Sequence, residues 1–472
     1  MPVDISTELQ LAYLRAAQAS QREDEDKIII YRNFFDGQQG VVLSDRQKEY
    51  LTKSPQSFAN ICKRTVNIPK DKLEIKEGGL SPQDDDGQEY SDLVTDWWTA
   101  NQLNAKQKDV YEASLRDGVG ALIVGWDEAR DIPTFTQNLI YDGTTGQIRF
   151  HYDNDGELLF ASKRFTVWNP LIPGLTGRRR MTIYRPGAIE RYEFNAAWPD
   201  GWRPLRPEEI DGVPNPQPWT DNGAFSGEPL GIPVIPFDNP SGSELADVIN
   251  IQELLNHSLA TFDIATDYHG FPLIWLALGP DVNLPIDPAT GQKVYPAFRP
   301  GASFDVGDGG RAGRIEPADL ERMFKSGILS WVQVLAIVKG WPYFLFDKTA
   351  QPPSGISLQV LERPLVSQVE DKQAVFGEAW RKAFDVARQL YQLKTGQQLP
   401  GDLNITWRDP RTVDKVSDAE ATARRAEALK LPIVTLWREA GYSEEDIERM
   451  KGEKEMEGDG FFAGDTVTGV TQ

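Results

Sequence analysis

The clearest hydrophobic pattern in this sequence lies between residues 243 and 395. Two stretches, 243–268 and 317–339, carry apolar residues at the three-to-four-residue spacing of an amphipathic helix. Ser243 suits an N-cap of the first helix, and Pro317 fits the first helical position of the second. The apolar positions are Leu245, Ile249, Leu254, Leu255, Leu259, Phe262 and Ile264 in the first helix, and Leu320, Phe324, Ile328, Trp331, Val332, Leu335 and Val338 in the second. The pattern therefore predicts two helices around an excursion, residues 271–316, that begins with a strand over 271–278.

A proline-rich aromatic loop, residues 340–353, follows the second helix and contains a single cation, Lys348. The next pattern predicts a long helix from about Ser354 to Thr395. Pro364 within it removes a backbone hydrogen bond, which predicts a kink. The apolar stripe of this helix consists of Leu365, Val369, Phe376, Trp380, Phe384, Ala387 and Leu390. Gly396 ends the helix, and a short strand is predicted over 403–407.

The remaining parts mix helical and strand patterns. Helices are predicted over 5–35, over 45–66 (ending before Pro69) and over 89–117, and charged helices over 416–454. Strand composition marks 118–126, 149–152, 164–168, 181–184 and 188–194. Residues 195–232 have the proline and glycine content of an irregular loop, and 458–472 that of a disordered tail. Together these patterns predict an α+β fold in which an antiparallel β region packs on helices.

The chain is acidic, with 71 Asp and Glu against 50 Lys and Arg, a formal net charge of −21. The simplest interpretation is that this charge keeps the protein soluble. The alternative is a surface that avoids binding DNA tightly, because each DNA phosphate neutralised by a protein cation adds affinity for DNA. The single cysteine, Cys62, excludes an internal disulfide and a cysteine-based zinc cluster. The longest strongly apolar run, residues 271–278, is far below the roughly 20 residues that span a bilayer, so no membrane span is predicted.

Signatures of catalysis are few. The sequence has no GxxxxGK[ST] and no HExxH motif, and the helix residues His257 and His269 lie too far apart to form a metal-binding pair. No metal and no cofactor are predicted. The 13 Trp and many carboxylates leave open a carbohydrate-active hydrolase, although the regular strand and helix alternation of such enzymes is missing. The basic run Arg178–Arg180 is interpreted as a solvated turn paired with acidic neighbours, with a nucleic-acid contact as the alternative.

The order of these parts over residues 243–395 resembles the portal proteins of tailed bacteriophages. The segment SGISLQVLERPL, residues 354–365, looks like that family's Ser-Gly start of a long helix with Pro-Leu further on. The resemblance implies an elongated multi-part subunit. Its parts would be a wing (1–242), a first stem helix (243–270), a clip (271–316), a second stem helix (317–339), a tunnel loop (340–353), the rest of the wing with the long kinked helix and closing strand (354–411), a crown (412–457) and the disordered tail (458–472).

The resemblance also implies a function without catalysis. Such subunits form a homo-oligomer, a ring of about twelve copies at one capsid vertex of the virion, through which double-stranded DNA passes. The implied partners are a terminase packaging motor, head-completion adaptor proteins, and capsid and scaffolding proteins, with assembly in the host cytoplasm. The tunnel-loop residues facing DNA would be Trp341, Tyr343, Phe344, Phe346 and Lys348, and the partner-docking residues of the clip would be Asp287, Thr290, Gln292, Lys293 and Arg299. A non-portal virion adaptor is the remaining alternative.

Overall fold

The computed structural model describes most of the 472 residues. Described are residues 5–19, 25–40, 45, 47–48, 59–82, 88–144, 146–167, 177–198, 200–219, 230–270, 274–284, 286–294, 305–316, 319–346, 356–399, 402–411, 434 and 447–451. The chain divides into two compact units, one of residues 1–351 and 362–410 and one of residues 352–361 and 411–472. Most of the predicted crown and the whole predicted tail lie outside the described residues.

Helices and antiparallel strands are both prominent, so the predicted α+β class is confirmed. The main helices are α1 (Ile5–Ala19), α2 (Glu25–Asp36), α3 (Ile61–Lys72), α4 (Gln88–Ala100), α5 (Leu103–Asp117), α6 (Ile249–Gly270), α7 (Leu320–Met323), α8 (Leu329–Lys339) and α9 (Ile356–Thr395). The strands are β1 (Ile75–Pro82), β2 (Val119–Asp127), β3 (Ile132–Asn138), β4 (Gln147–Tyr152), β5 (Leu158–Val167), β6 (Arg178–Arg185), β7 (Gly187–Phe194), β8 (Trp202–Pro204), β9 (Gln217–Trp219), β10 (Val234–Asp238), β11 (Ile274–Ala277), β12 (Arg311–Arg314) and β13 (Leu403–Trp407).

Four antiparallel sheets are formed within the described part of the chain. The largest has the order β4-β5-β6-β7-β8, with β9 also paired to β7. A second sheet has the order β10-β2-β3, and the two-stranded sheets are β1-β13 and β11-β12. Strands β8, β9 and β10 were not recognised in the sequence, because the region 195–232 was interpreted as irregular and β10 carries a central proline, Pro236.

The N-terminal helices differ from the sequence prediction at their ends. The stretch predicted as one helix over 89–117 is two helices, because Gln102 adopts a left-handed backbone conformation with φ 56° between them. Helix α3 begins after Asn60, whose side chain accepts a hydrogen bond from the Lys63 amide, and continues past Pro69. The prediction that this helix ends before Pro69 is wrong: Ile68 and Pro69 are both buried, and their packing favours the helix.

Helix α9 forms the centre of the main core. Every residue of its predicted stripe is buried, from Leu365 to Leu390. Trp380 donates a hydrogen bond from its indole to the Tyr111 hydroxyl of α5 at 2.8 Å, and Phe376 stacks on the Tyr111 ring at 5.3 Å. The helix passes through Pro364 within one continuous 40-residue span. Burial of this long stripe fixes α9 against α4, α5 and the β10-β2-β3 sheet.

The two predicted stem helices are present with shifted starts. The first begins at Ile249, six residues after Ser243, whose hydroxyl accepts from the Leu245 amide and donates to the Arg116 carbonyl. The second begins after Asp319, which caps it through the Arg322 amide, and ends at Gly340 with φ 66°. Between α7 and α8 the same helix contains a π-helical turn, Phe324–Ile328. Pro317 itself lies outside the described residues.

Candidate functional site

The predicted clip contains a small sheet and a tight hairpin. Strands β11 and β12 pair in antiparallel register, with Ile274 opposite Arg314 and Ala277 opposite Arg311. Further along, Ile286 pairs with Lys293 across a turn. Asp287 organises this turn, because its carboxylate accepts hydrogen bonds from the Ala289 amide and the Thr290 hydroxyl. These hydrogen bonds lower the pKa of the Asp287 carboxyl, so the turn carries a stable negative charge.

Four of the predicted partner-docking residues therefore belong to one structural unit. Asp287, Thr290, Gln292 and Lys293 lie in a single exposed hairpin, whose backbone is closed by the Asp287 amide donating to the Gln292 carbonyl at 2.9 Å. Arg299 lies outside the described residues. Large apolar side chains are exposed in the same segment, namely Ile274, Trp275, Ile286, Val294 and Ile315. The segment thus presents apolar and charged groups side by side.

The two predicted stem helices, α6 and α7–α8, pack against each other. The Trp331 indole donates to the Ser258 hydroxyl at 2.9 Å, and the Phe262 and Phe324 rings lie 5.9 Å apart. Leu335 and Ala336 are buried on the inner side of α8. Other apolar side chains of the pair are exposed: Leu254, Tyr268, Phe324, Val334, Ile337 and Val338. Ile337 is the extreme case, with 77% of its surface accessible. Each helix therefore has more apolar surface than its partner covers.

The predicted tunnel loop begins with a firm anchor. Trp341 is only 4% exposed; its indole donates to Gln368 of α9 at 2.8 Å and its ring stacks on Phe346 at 6.1 Å. Residues 343–345 form a single 3₁₀ turn, and Arg64 of α3 donates to the Leu345 carbonyl. Tyr343, Phe344 and Phe346 are partly exposed. The Trp341 indole accordingly anchors the segment to α9, and Lys348 lies outside the described residues.

A buried ion cluster joins the segment before α6 and the end of α8 to the long helix α9. The carboxylate of Glu244, just before α6, forms two ion pairs. One is with Lys339 from the last turn of α8, at 2.9 Å, and the other is with Lys372 from α9, at 3.0 Å. Asn239 donates to the same carboxylate, and all four side chains are largely buried. Burial alone would raise the pKa of Glu244, but the two ammonium groups outweigh it and lower the pKa. We call Glu244, Lys339 and Lys372 the lysine clasp.

The lysine clasp lies next to the start of the predicted tunnel loop. The Lys339 ammonium is 5.8 Å from the centre of the Trp341 ring, and the Lys339 carbonyl accepts from the Gln368 side chain. The sequence prediction missed this cluster, although one signal was present: Lys372 occupies the apolar stripe of α9, between Val369 and Phe376. A charged residue at a core position requires a buried partner, but the sequence does not say which.

No metal-binding arrangement is found in the residues that the structure describes. No group of three or more His, Cys, Asp or Glu side chains converges there. None of the helices described is long and apolar enough to cross a membrane. Cys62 is buried, and its burial raises the pKa of the thiol to about 12.

Comparisons with known proteins bear on these features. No family model matches the chain. The portal proteins of Mycobacterium phages D29 and L5 are 25% and 24% identical to it over 207 residues. Each match covers 41% of this chain and 41% of the relative, so less than half of either relative's length is represented. The predicted resemblance to tailed-phage portal proteins is confirmed by this similarity.

Solved structures show a distant likeness. One is a chain from the virion of a native gene transfer agent particle, with a TM-score of 0.43 and 11% identity, covering 92% of this chain and 99% of the other. Another comes from the neck of a native gene transfer agent particle computed with C12 symmetry, with a TM-score of 0.37 and 12% identity, covering 86% and 96%.

Proposed function

We propose that this chain is the subunit of a phage portal, a ring at one capsid vertex of the virion through which double-stranded DNA is packaged and ejected. The observation that carries the proposal is a pair of packed helices, α6 and α7–α8, that bracket a β segment and leave apolar residues uncovered on their outer surfaces. The similarity to two curated portal proteins supports it.

The uncovered apolar residues explain why a ring is expected. Ile337, Val338 and Leu254 would be hydrated in a single subunit, and their burial contributes about 25 cal/mol per Å². In this proposal neighbouring copies meet head to tail through these exposed residues, and contacts of that kind close into a ring. The resemblance implies about twelve copies.

The charge of the chain suits passive guidance of DNA rather than catalysis. With 71 Asp and Glu against 50 Lys and Arg, carboxylates outnumber the cations that could bind phosphates, so we infer that DNA can move past the chain. In this proposal the tunnel-loop residues Tyr343, Phe344, Phe346 and Lys348 contact DNA, while Trp341 holds the loop in place. The chain itself is not an enzyme, and energy for packaging comes from a separate terminase motor.

Partner docking belongs to the clip in this proposal. The exposed hairpin with Asp287, Thr290, Gln292 and Lys293 is a compact surface on which the packaging motor and later the head-completion adaptors would dock. Arg299 would extend the same surface. Capsid and scaffolding proteins would contact the rest of the subunit during assembly in the host cytoplasm.

The ring is tested with Ile337→Glu. We expect the parent chain to form a large closed homo-oligomer in light scattering and electron microscopy, and the variant to stay monomeric, because Ile337 is exposed in the subunit and buried in the ring. Leu159→Glu is the matched control, since Leu159 is an exposed apolar residue of β5, away from the paired helices. A parent chain that remains monomeric under all conditions contradicts the proposal.

A further inference from the structure

The basic run Arg178–Arg180 lies in β6, where successive side chains point to opposite faces of the sheet. The guanidinium of Arg179 lies flat on the Phe194 ring, 3.8 Å from its centre. Arg178 and Arg180 point to the other face, where both approach Glu193, at 3.9 and 3.7 Å. The interpretation of the run as a turn is therefore wrong, whereas its pairing with an acidic neighbour is correct.

The face that carries Arg180 is basic, although the chain as a whole is acidic. The strand register aligns Phe165, Arg180, Glu193 and Arg203 in one row and Lys163, Thr182 and Arg191 in the next. The described charges on and beside this face are Lys163, Arg178, Arg180, Arg191 and Arg203 against Glu193, Glu209 and Asp211, so the sum is 5 − 3 = +2. This local excess contrasts with the net charge of −21.

A cavity of about 290 Å³ lies over this face. Its lining includes Arg180, Thr182 and Arg191 from the sheet, together with residues of the segment 205–213 that follows β8. Arg180 and Arg191 are diagonal neighbours on adjacent strands, because Arg180 is opposite Glu193 and Thr182 is opposite Arg191. Two arginines therefore line one small cavity.

These two guanidinium groups have unused hydrogen-bond donors. The Nε of Arg180 is buried and makes no hydrogen bond; the Oε2 of Glu193, which also lacks a hydrogen bond, lies 3.7 Å from it as an ion-pair partner. Arg191 donates from Nη2 to Gln217, but its Nη1 is buried without an acceptor. No carboxylate among the described residues forms an ion pair with Arg191, and burial lowers the pKa of its guanidinium. Buried charged donors without acceptors are rare in proteins, so an anion is the natural occupant.

The two carboxylates of the cavity do not supply these acceptors. Glu209 accepts two hydrogen bonds from Arg203, at 2.7 and 2.8 Å, and one from the Arg206 amide. Its charge is thereby compensated, and the pKa of its carboxyl falls to about 2. Asp211 is exposed at the rim of the cavity. Glu193 is shared among Arg178, Arg180 and Arg203, so the positive charge of Arg191 is left for a ligand.

We propose that this cavity binds a phosphate group, either free inorganic phosphate or a phosphate of the DNA backbone. A guanidinium presents a planar fork of N–H groups that matches two oxygens of an oxyanion. A carboxylate has only two oxygens and can accept from the paired N–H groups of one guanidinium. A tetrahedral phosphate offers enough oxygens for Arg180 and Arg191 together. The site requires neither the ring nor the DNA channel, so its test is independent of the portal assignment.

The first experiment measures binding of inorganic phosphate to the full chain by calorimetry and phosphorus NMR, at constant ionic strength against chloride. We expect Arg180→Ala to weaken binding about tenfold or more, since hydrogen bonds to charged groups contribute strongly. Arg180→Lys keeps the charge without the fork and is expected to weaken binding clearly as well. Arg179→Ala is the matched control, because it removes a charge from the same run on the opposite face and leaves binding unchanged.

The outcomes are distinct. Phosphate affinity that is equal in Arg180→Lys, Arg180→Ala and the parent overturns the proposal, as does an equal loss in Arg179→Ala. Competition then separates the sources: displacement of phosphate by a short DNA duplex supports backbone phosphate, and its failure supports the free ion. Stronger displacement by a glutamate-rich peptide than by either phosphate source overturns the proposal, because the site would then select carboxylates.

Discussion

At the residue scale, the lysine clasp is the least ordinary feature of the chain. Three ionised groups with a net charge of +1 are buried where α6, α8 and α9 meet. A buried carboxylate and ammonium lose hydration, and the pair is favourable only while every partner remains in place. Lys372 was visible in the sequence as a charge within an apolar stripe, but its pairing with Glu244 depends on tertiary contacts between segments far apart in the chain.

Removing the carboxylate is expected to be costly. Glu244→Ala leaves Lys339 and Lys372 buried side by side, so the free energy of unfolding should fall by about 3–5 kcal/mol. Glu321→Ala, which removes an exposed partner of Lys325, should change it by at most about 1 kcal/mol. Urea denaturation followed by tryptophan fluorescence compares the two; similar losses in both variants would contradict the importance of the clasp.

The same cluster predicts a pH dependence. The pKa of Glu244 is lowered in the folded chain, from an ordinary value of 4.5. Its contribution is therefore complete above the unfolded pKa and is lost as the pH falls through the depressed folded pKa. Below pH 4.5 the parent should lose stability more steeply than Glu244→Gln, which cannot titrate. Unfolding free energies measured across this range check the difference. Parallel curves for the parent and Glu244→Gln would show that the two lysines do not lower the pKa of Glu244.

At the element scale, the sequence predicted the long helix better than any other part. The stripe of α9 is strongly periodic and fully buried, so local pattern and tertiary packing agree. The break at Gln102 was missed, because the polar residues around it fit a continuous helix as well as two. Strands β8 and β9 have three residues each and are defined by pairing with β7, which a single-sequence pattern does not reveal.

The clip hairpin offers a direct test of partner docking. Ile286 and Lys293 form an antiparallel bridge, so a two-residue Asn-Gly turn can replace Asp287–Gln292 and keep this pair. We expect this variant to form rings like the parent but to lose DNA packaging, because the docking surface is gone. Oligomer mass and packaged DNA per particle are the two measurements. Normal packaging by the shortened hairpin would show that the motor docks elsewhere.

At the scale of the whole molecule, the order of the parts was predicted from the sequence through resemblance, whereas the contacts that hold them were not. The paired helices, the excursion between them and the long helix appear in the expected order, with helix starts shifted by a few residues. The aromatic loop shows what its residue composition alone does not reveal. Its composition did not distinguish Trp341, which is buried against α9, from Tyr343 and Phe344, which are partly exposed.

Lys348 remains a prediction from the sequence about DNA passage. A single cation per subunit in an acidic channel would give weak, salt-screened contacts to phosphate. Lys348→Ala should leave the ring intact and alter packaging or DNA retention in a salt-dependent way, and Lys348→Glu should have a larger effect because it adds repulsion. Packaging assays at two salt concentrations compare them. Parent-like behaviour of both variants would show that Lys348 does not face the channel.

The π-helical turn Phe324–Ile328 bears on how this helix can change in length. A π turn holds one residue more than an α turn, and here the Ser330 hydroxyl donates to the Gly327 carbonyl within it. Phe324 at the start of the turn and Trp331 beyond it both contact α6. A chain shorter by one residue at Gly327 would close the turn to a regular helix and keep both contacts. Insertions and deletions among related sequences should therefore accumulate at this turn, as the place where the helix tolerates a change in residue number.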